Sequence, residues 1–96
     1  MKVSDIRSDV VKDFCGISDE ESDGILAVVM PAARAFIRTY TGLTDAEIDE
    51  KEELGTAYMA LVNDMISSRE YSSPSVKNIN PCVKLLLDMN SVNGVG

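Results

Sequence analysis

The sequence predicts an all-α fold, a compact bundle of about four to five helices with a short acidic helix between the long central helices. Three observations predict it. Apolar residues recur at intervals of three and four along most of the 96 residues, which is the period of a helix face and not the alternation of a strand. Between these stretches stand residues that start and stop helices, among them Ser4, Gly16, Gly42, Thr44 and the pair Asn80-Pro81. An apolar content of 45% over this length suits one core. Residues 1–90 therefore read as a single helical domain, and the Gly-rich residues 91–96 as a flexible C-terminal tail.

The first helix is expected to open at Ser4 as N-cap, with Asp5 favourable in the first turn. Ile6, Val10 and Phe14 then form its inward stripe, ending near Gly16. The polar segment Ser18–Ser22 marks the next start, with Ser18 or Ser22 as cap. From there Leu26, Val29, Ala33, Phe36 and Tyr40, supported by Ile25 and Ile37, make a seam that faces a core. Pro31 interrupts this seam by removing a hydrogen bond and crowding the preceding turn. The helix either kinks there or divides in two, and the unbroken phase of the stripe favours a kink.

Tyr40-Thr41-Gly42-Leu43 is a stop signal, with Gly42 free to take the left-handed conformation past the helix end. Thr44-Asp-Ala-Glu47 is a capping box that opens a short acidic helix running to about Lys51. The clearest pattern follows: Leu54, Ala57, Tyr58, Leu61, Val62, Met65 and Ile66 share one face, opposite Glu53, Thr56, Asn63, Asp64 and Ser67. Ser72-Ser-Pro74-Ser is a loop. Asn80 caps a last helix, with Pro81 in its first turn and Val83, Leu86 and Leu87 facing inward.

Charge and chemistry narrow the functional classes. The formal net charge is −7, and residues 1–53 carry all of it, with thirteen acids against six bases. The nine bases are scattered, whereas a phosphate-binding surface needs them clustered, so DNA is not expected to be bound specifically. The acidic groups Asp19–Asp23 and Asp45–Glu53 sit at helix starts, where carboxylates meet the positive end of the helix dipole. With no histidine, histidine-based nucleophile pairs, general bases and metal ligands are excluded.

Asp19, Glu21, Asp23 and Gly24 imitate the start of a calcium loop, but its twelfth position is Met30 where a bidentate glutamate is required. No catalytic residue, cofactor or metal site is expected. Cys15 and Cys82 are expected to be free thiols. The longest strongly apolar run, Ile25–Ala33, contains Pro31 and is too short to span a bilayer, so no membrane partner is expected.

The chain resembles the small head–tail connector (head-completion, adaptor) proteins of tailed bacteriophages and prophages. The first half carries this through a short N-terminal helix, a polar acidic turn, and a long helix ending in Ala32-Ala-Arg-Ala-Phe-Ile-Arg-Thr-Tyr-Thr-Gly42. The capped segment Leu43-Thr-Asp-Ala-Glu47 follows at the expected place. The second half carries it through Leu61-Val-Asn-Asp-Met-Ile-Ser-Ser-Arg-Glu-Tyr71 and the closing Asn80-Pro-Cys-Val-Lys-Leu-Leu-Leu-Asp-Met89.

The resemblance implies a structural subunit of the virion head–tail junction, made in the bacterial host cytoplasm. Such a subunit assembles with itself as a twelvefold ring under the portal protein and offers a platform to the next connector or tail protein. DNA would pass through, and an acidic wall would keep it from sticking. The alternative is a small acidic regulatory binding module of the antitoxin or anti-repressor type. Genes for portal, capsid and tail proteins beside this one would favour the connector, and a toxin or repressor gene the module. Candidate subunit or portal contacts are Arg69, Tyr71, Val76 and Ile79 in the loop, with Val92 and Val95 in the tail. These residues have no helical period to place them in the core.

Overall fold

In the computed structural model, residues 2–17, 22–71 and 79–92 are described. Among the described residues a 3₁₀ turn at Val3–Asp5 precedes five α-helices: α1 (Ser8–Cys15), α2 (Ser22–Thr41), α3 (Asp45–Asp49), α4 (Glu52–Ser68) and α5 (Pro81–Asn90). No strand occurs among the described residues. The all-α bundle with a short acidic helix between two long ones is the observed architecture.

α4 is the central element. It packs most extensively against α2 and α5, and also meets α1, α3 and the N-terminal turn. Its predicted face explains why. Leu54, Ala57, Tyr58, Leu61, Val62 and Met65 are all buried, and Ile66 is half-buried at the end of the same stripe. Gly55 is also buried on this helix. Tyr58 takes its phenol into the core and donates to the Met30 carbonyl of α2 at 3.3 Å, so the buried hydroxyl is satisfied.

The N-terminal segment departs from the expected continuous helix. Ile6 is extended, and α1 begins only at Ser8, with Arg7 in the cap position and no side-chain cap. Asp49 of α3 accepts a hydrogen bond from the Ser4 amide at 3.1 Å and so tethers the 3₁₀ turn. In 3₁₀ geometry residues three apart eclipse, and Val3 and Ile6 both reach the core. The break resets the phase of the helix that follows. Val11 is fully buried, Val10 and Cys15 flank it, and Phe14 is 48% exposed. Gly16 ends α1 in the left-handed conformation at φ 71°, as expected.

α2 is one helix that continues through Pro31. The proline and Ala27, whose carbonyl loses its usual partner, both lie on the exposed side, where water can serve that carbonyl. Leu26, Val29, Ala33 and Ile37 form the fully buried seam, while Ile25, Phe36 and Tyr40 pack beside it. The start of this helix leaves Ser18 outside the described residues.

The helix stop is as predicted. Gly42 has φ 75° and its amide bonds to the Arg38 carbonyl at 2.8 Å, and Leu43 folds back to 4% exposure. Thr44 and Glu47 complete the reciprocal capping box of α3. Replacing Gly42 with valine is expected to cost about 1–2 kcal/mol, because a β-branched residue resists positive φ. A lowered midpoint of chemical denaturation at unchanged slope would report it; equal midpoints would refute it.

Candidate assembly surface

α5 is held firmly on the bundle. Asn80 caps it by accepting from the Cys82 amide at 2.7 Å, while the Asn80 amide donates to Asp64 of α4 at 3.0 Å. Val83 and Leu87 are buried against α4. Near its C-terminal end the Tyr40 hydroxyl of α2 donates to Asp88 at 2.5 Å, and Lys84 closes on the other oxygen of that carboxylate at 2.9 Å. Beyond the helix, the Val92 amide donates to the Thr41 carbonyl at 2.8 Å. The first two residues of the predicted tail are thus bonded to the helices, since Ser91 also donates to the Asp88 carbonyl. Residues 93–96 lie outside the described residues.

The Tyr40–Asp88 bond shifts both groups. It pushes the Tyr40 phenol above its ordinary value, and with Lys84 it holds the Asp88 carboxyl below the usual carboxylate range. A depressed carboxylate contributes stability above its unfolded value, roughly pH 4, and that contribution is lost as pH falls through the folded value. Tyr40→Phe is therefore expected to be less stable than the parent at neutral pH. The difference should shrink as the solution is acidified below roughly pH 4. Denaturation midpoints of the two proteins across an acid series check this, and a difference independent of pH would contradict it.

With Val83 and Leu87 turned inward, α5 shows solvent an opposite face built from Cys82, Leu85 and Met89, and Val92 is exposed just beyond the helix end. Leu85 is 59% exposed, Met89 72% and Val92 62%. The charged groups of this helix, Lys84 and Asp88, neutralise each other. The result is an uncharged ridge of large apolar side chains on a chain that carries −7.

A second apolar feature lies between α1 and α2. A groove of about 410 Å³ is lined by Ser8, Asp23, Leu26, Ala27, Met30, Pro31 and Arg34. Asp23 is ion-paired with Lys12 at one end. At the other, Arg34 has its Nε buried without a hydrogen-bond partner, while its charge acts on Asp49 and Tyr58. By contrast α3 and the start of α4 form an acidic edge, with Asp45, Glu47, Glu50, Glu52 and Glu53 exposed. Arg38 offsets only Asp45 there, at 3.3 Å.

The contacts expected from sequence scatter. Arg69 is exposed and holds the left-handed position at the end of α4, with φ 60° and its amide on the Ile66 carbonyl. Tyr71 is half-buried against the core. Ile79 is 8% exposed and belongs to the core cluster. Val92 is exposed just beyond the end of α5, and Val76 and Val95 lie outside the described residues. Cys15 and Cys82 are free thiols, and burial raises the pKa of the Cys15 thiol. No group of His, Cys, Asp or Glu that could hold a metal ion occurs among the described residues. No described helix is long and apolar enough to cross a membrane.

Compared with known proteins, residues 9–80 match a family model described as phage gp6-like head-tail connector protein. The match covers more than half of the chain, from α1 to the residue before α5. No curated protein matches, and no solved structure does.

Proposed function

The chain belongs to the phage gp6-like head–tail connector family, and from that premise we propose that it is a ring-forming subunit beneath the portal. The ring is twelvefold in the virion, in register with the portal, and extends the DNA channel towards the tail. It meets the portal protein on one side and the next connector or tail protein on the other. The protein is made in the host cytoplasm and taken into the head–tail junction during assembly.

The family match carries the structural role, and the surface supports the finer reading. The acidic edge of α3 and α4 suits a channel wall, because like charge keeps DNA moving without adhesion. The apolar ridge and groove suit contacts between chains, since exposed apolar patches rimmed by polar residues mark such sites. Arg69, Tyr71 and Val92 are the members of the predicted contact set that a neighbour can reach from outside, with Val76 and Val95 beside them in sequence.

The experiment is a phage with an amber mutation in this gene, grown in a non-suppressing host and examined by electron microscopy. Heads that lose their DNA and tails that remain separate are expected, with infectivity restored by the gene supplied in trans. Normal, tailed, infective particles from the mutant would overturn the proposal.

A further inference from the structure

We propose that residues 2–6 form a strap that opens while the helical bundle stays folded, and that the Asp49 carboxylate is its latch. The inference does not depend on the ring reading. The segment lies before residues 9–80, which carry the family match.

The strap has a small anchor. Val3 and Ile6 are buried, at 1% and 3% exposure, whereas Lys2, Ser4 and Asp5 are exposed. The Asp5 and Ile6 amides bond back inside the segment, to the carbonyls of Lys2 and Val3. Among the described residues, its hydrogen bond to the helices is the one from the Ser4 amide to Asp49 of α3. Segments with so few buried apolar contacts open at lower cost than the core they rest on.

A hinge adjoins the anchor. Ile6 and Arg7 are extended, with ψ 110° and 170°, and α1 begins after them without a side-chain cap. Rotation about ψ of Ile6 and φ of Arg7 breaks no hydrogen bond of α1, because the Arg7 carbonyl that accepts from Val11 lies beyond the hinge. α1 keeps its own hold on the bundle through Val11, which is fully buried, and through the Lys12–Asp23 pair.

The strap covers a space that it does not fill. A cavity of about 220 Å³ is lined by Val3 and Ser4 of the strap, Arg34 of α2, and Asp45, Ile48 and Asp49 of α3. Side chains that face a void have no partner atoms on that side, so the closed strap gives up part of its packing. The polar latch makes up for it. The Ser4 bond most of all, then Lys2 of the strap and Arg34 of α2, hold the Asp49 carboxyl below the usual carboxylate range. A hydrogen bond to a charged acceptor is stronger than one to a neutral acceptor. Closed, the strap ties α3 down through Asp49. Open, it leaves α3 to its packing on α4 and to the Arg38–Asp45 pair.

Thiol labelling tests this. In a Cys15→Ser, Cys82→Ser background, Val3→Cys reports the strap, and Ala57→Cys, at a fully buried position of α4, reports global unfolding. Each protein is treated with a chromogenic disulfide reagent at low denaturant concentrations, and circular dichroism checks the fold. Val3→Cys should react roughly tenfold faster or more, with a weaker dependence on denaturant. Adding Asp49→Asn should speed Val3→Cys on the order of tenfold and change Ala57→Cys far less. Equal rates with equal denaturant dependence at the two positions overturn the strap. If Asp49→Asn speeds both positions alike, or neither, the latch is overturned. Hydrogen exchange of the unsubstituted protein guards against a strap loosened by Val3→Cys itself. There the Ser4 amide should exchange with a weaker denaturant dependence than the amides of α4, and equal dependence overturns the proposal.

Discussion

Leu61→Ala is expected to destabilise the protein by about 2–5 kcal/mol, the range for removing a buried leucine and leaving a partly unfilled cavity. Leu61 is fully buried on α4, the helix against which α2 and α5 both pack. Domains of this size have roughly 5–15 kcal/mol in total, so one such change can consume much of the margin. Chemical denaturation measures it as a large fall in midpoint at unchanged slope. Leu85→Ala is the internal control. The residue type is the same, but Leu85 is mostly exposed, so its change should stay within about 0.5 kcal/mol. Similar losses for the two variants would mean that α4 is not the centre of the core.

The second large effect falls on assembly. The double substitution Leu85→Glu with Met89→Glu is expected to leave helicity and cooperative unfolding nearly unchanged, since both side chains point to solvent. It should nonetheless reduce phage yield to that of the gene knockout. Two carboxylates buried in a contact between chains without partners are costly, and they add like charge between copies that are already acidic. Complementation of the amber phage by this variant, scored as plaque titre, is the measurement. Full complementation would remove the ridge from any role in assembly.

The long helices were legible because their faces are regular. Every residue placed on the inner face of α4 is buried or half-buried, and the Tyr40-Thr41-Gly42 stop and the Thr44 capping box are local devices that need no tertiary context. The first helix was misread because its stripe assumed one unbroken phase. The bond from the Ser4 amide to Asp49 joins residues 45 apart in sequence, and no local pattern announces it. Once the chain is extended at Ile6, Val11 takes the buried position and Phe14 swings outward.

The surface was less legible than the core. Ile79 looked unassigned because no helical period includes it, yet it precedes the α5 cap and packs inward. The ridge was overlooked although its signal is present in Leu85-Leu86-Leu87. Three consecutive helical residues span about 200°, so they cannot all face one core. Leu87 is buried, Leu86 half-buried and Leu85 exposed. Arg34 gives no such signal, because the groups around it, from the N-terminal turn, α3 and Tyr58 of α4, are distant in sequence.

A cryo-electron microscopy reconstruction of the head–tail junction in purified virions tests the central claim most directly. The account predicts helical density for this chain in a closed ring between portal and tail, with the acidic edge of α3 and α4 towards the channel. Its absence from that junction, in virions whose portal and tail are both resolved, would contradict it.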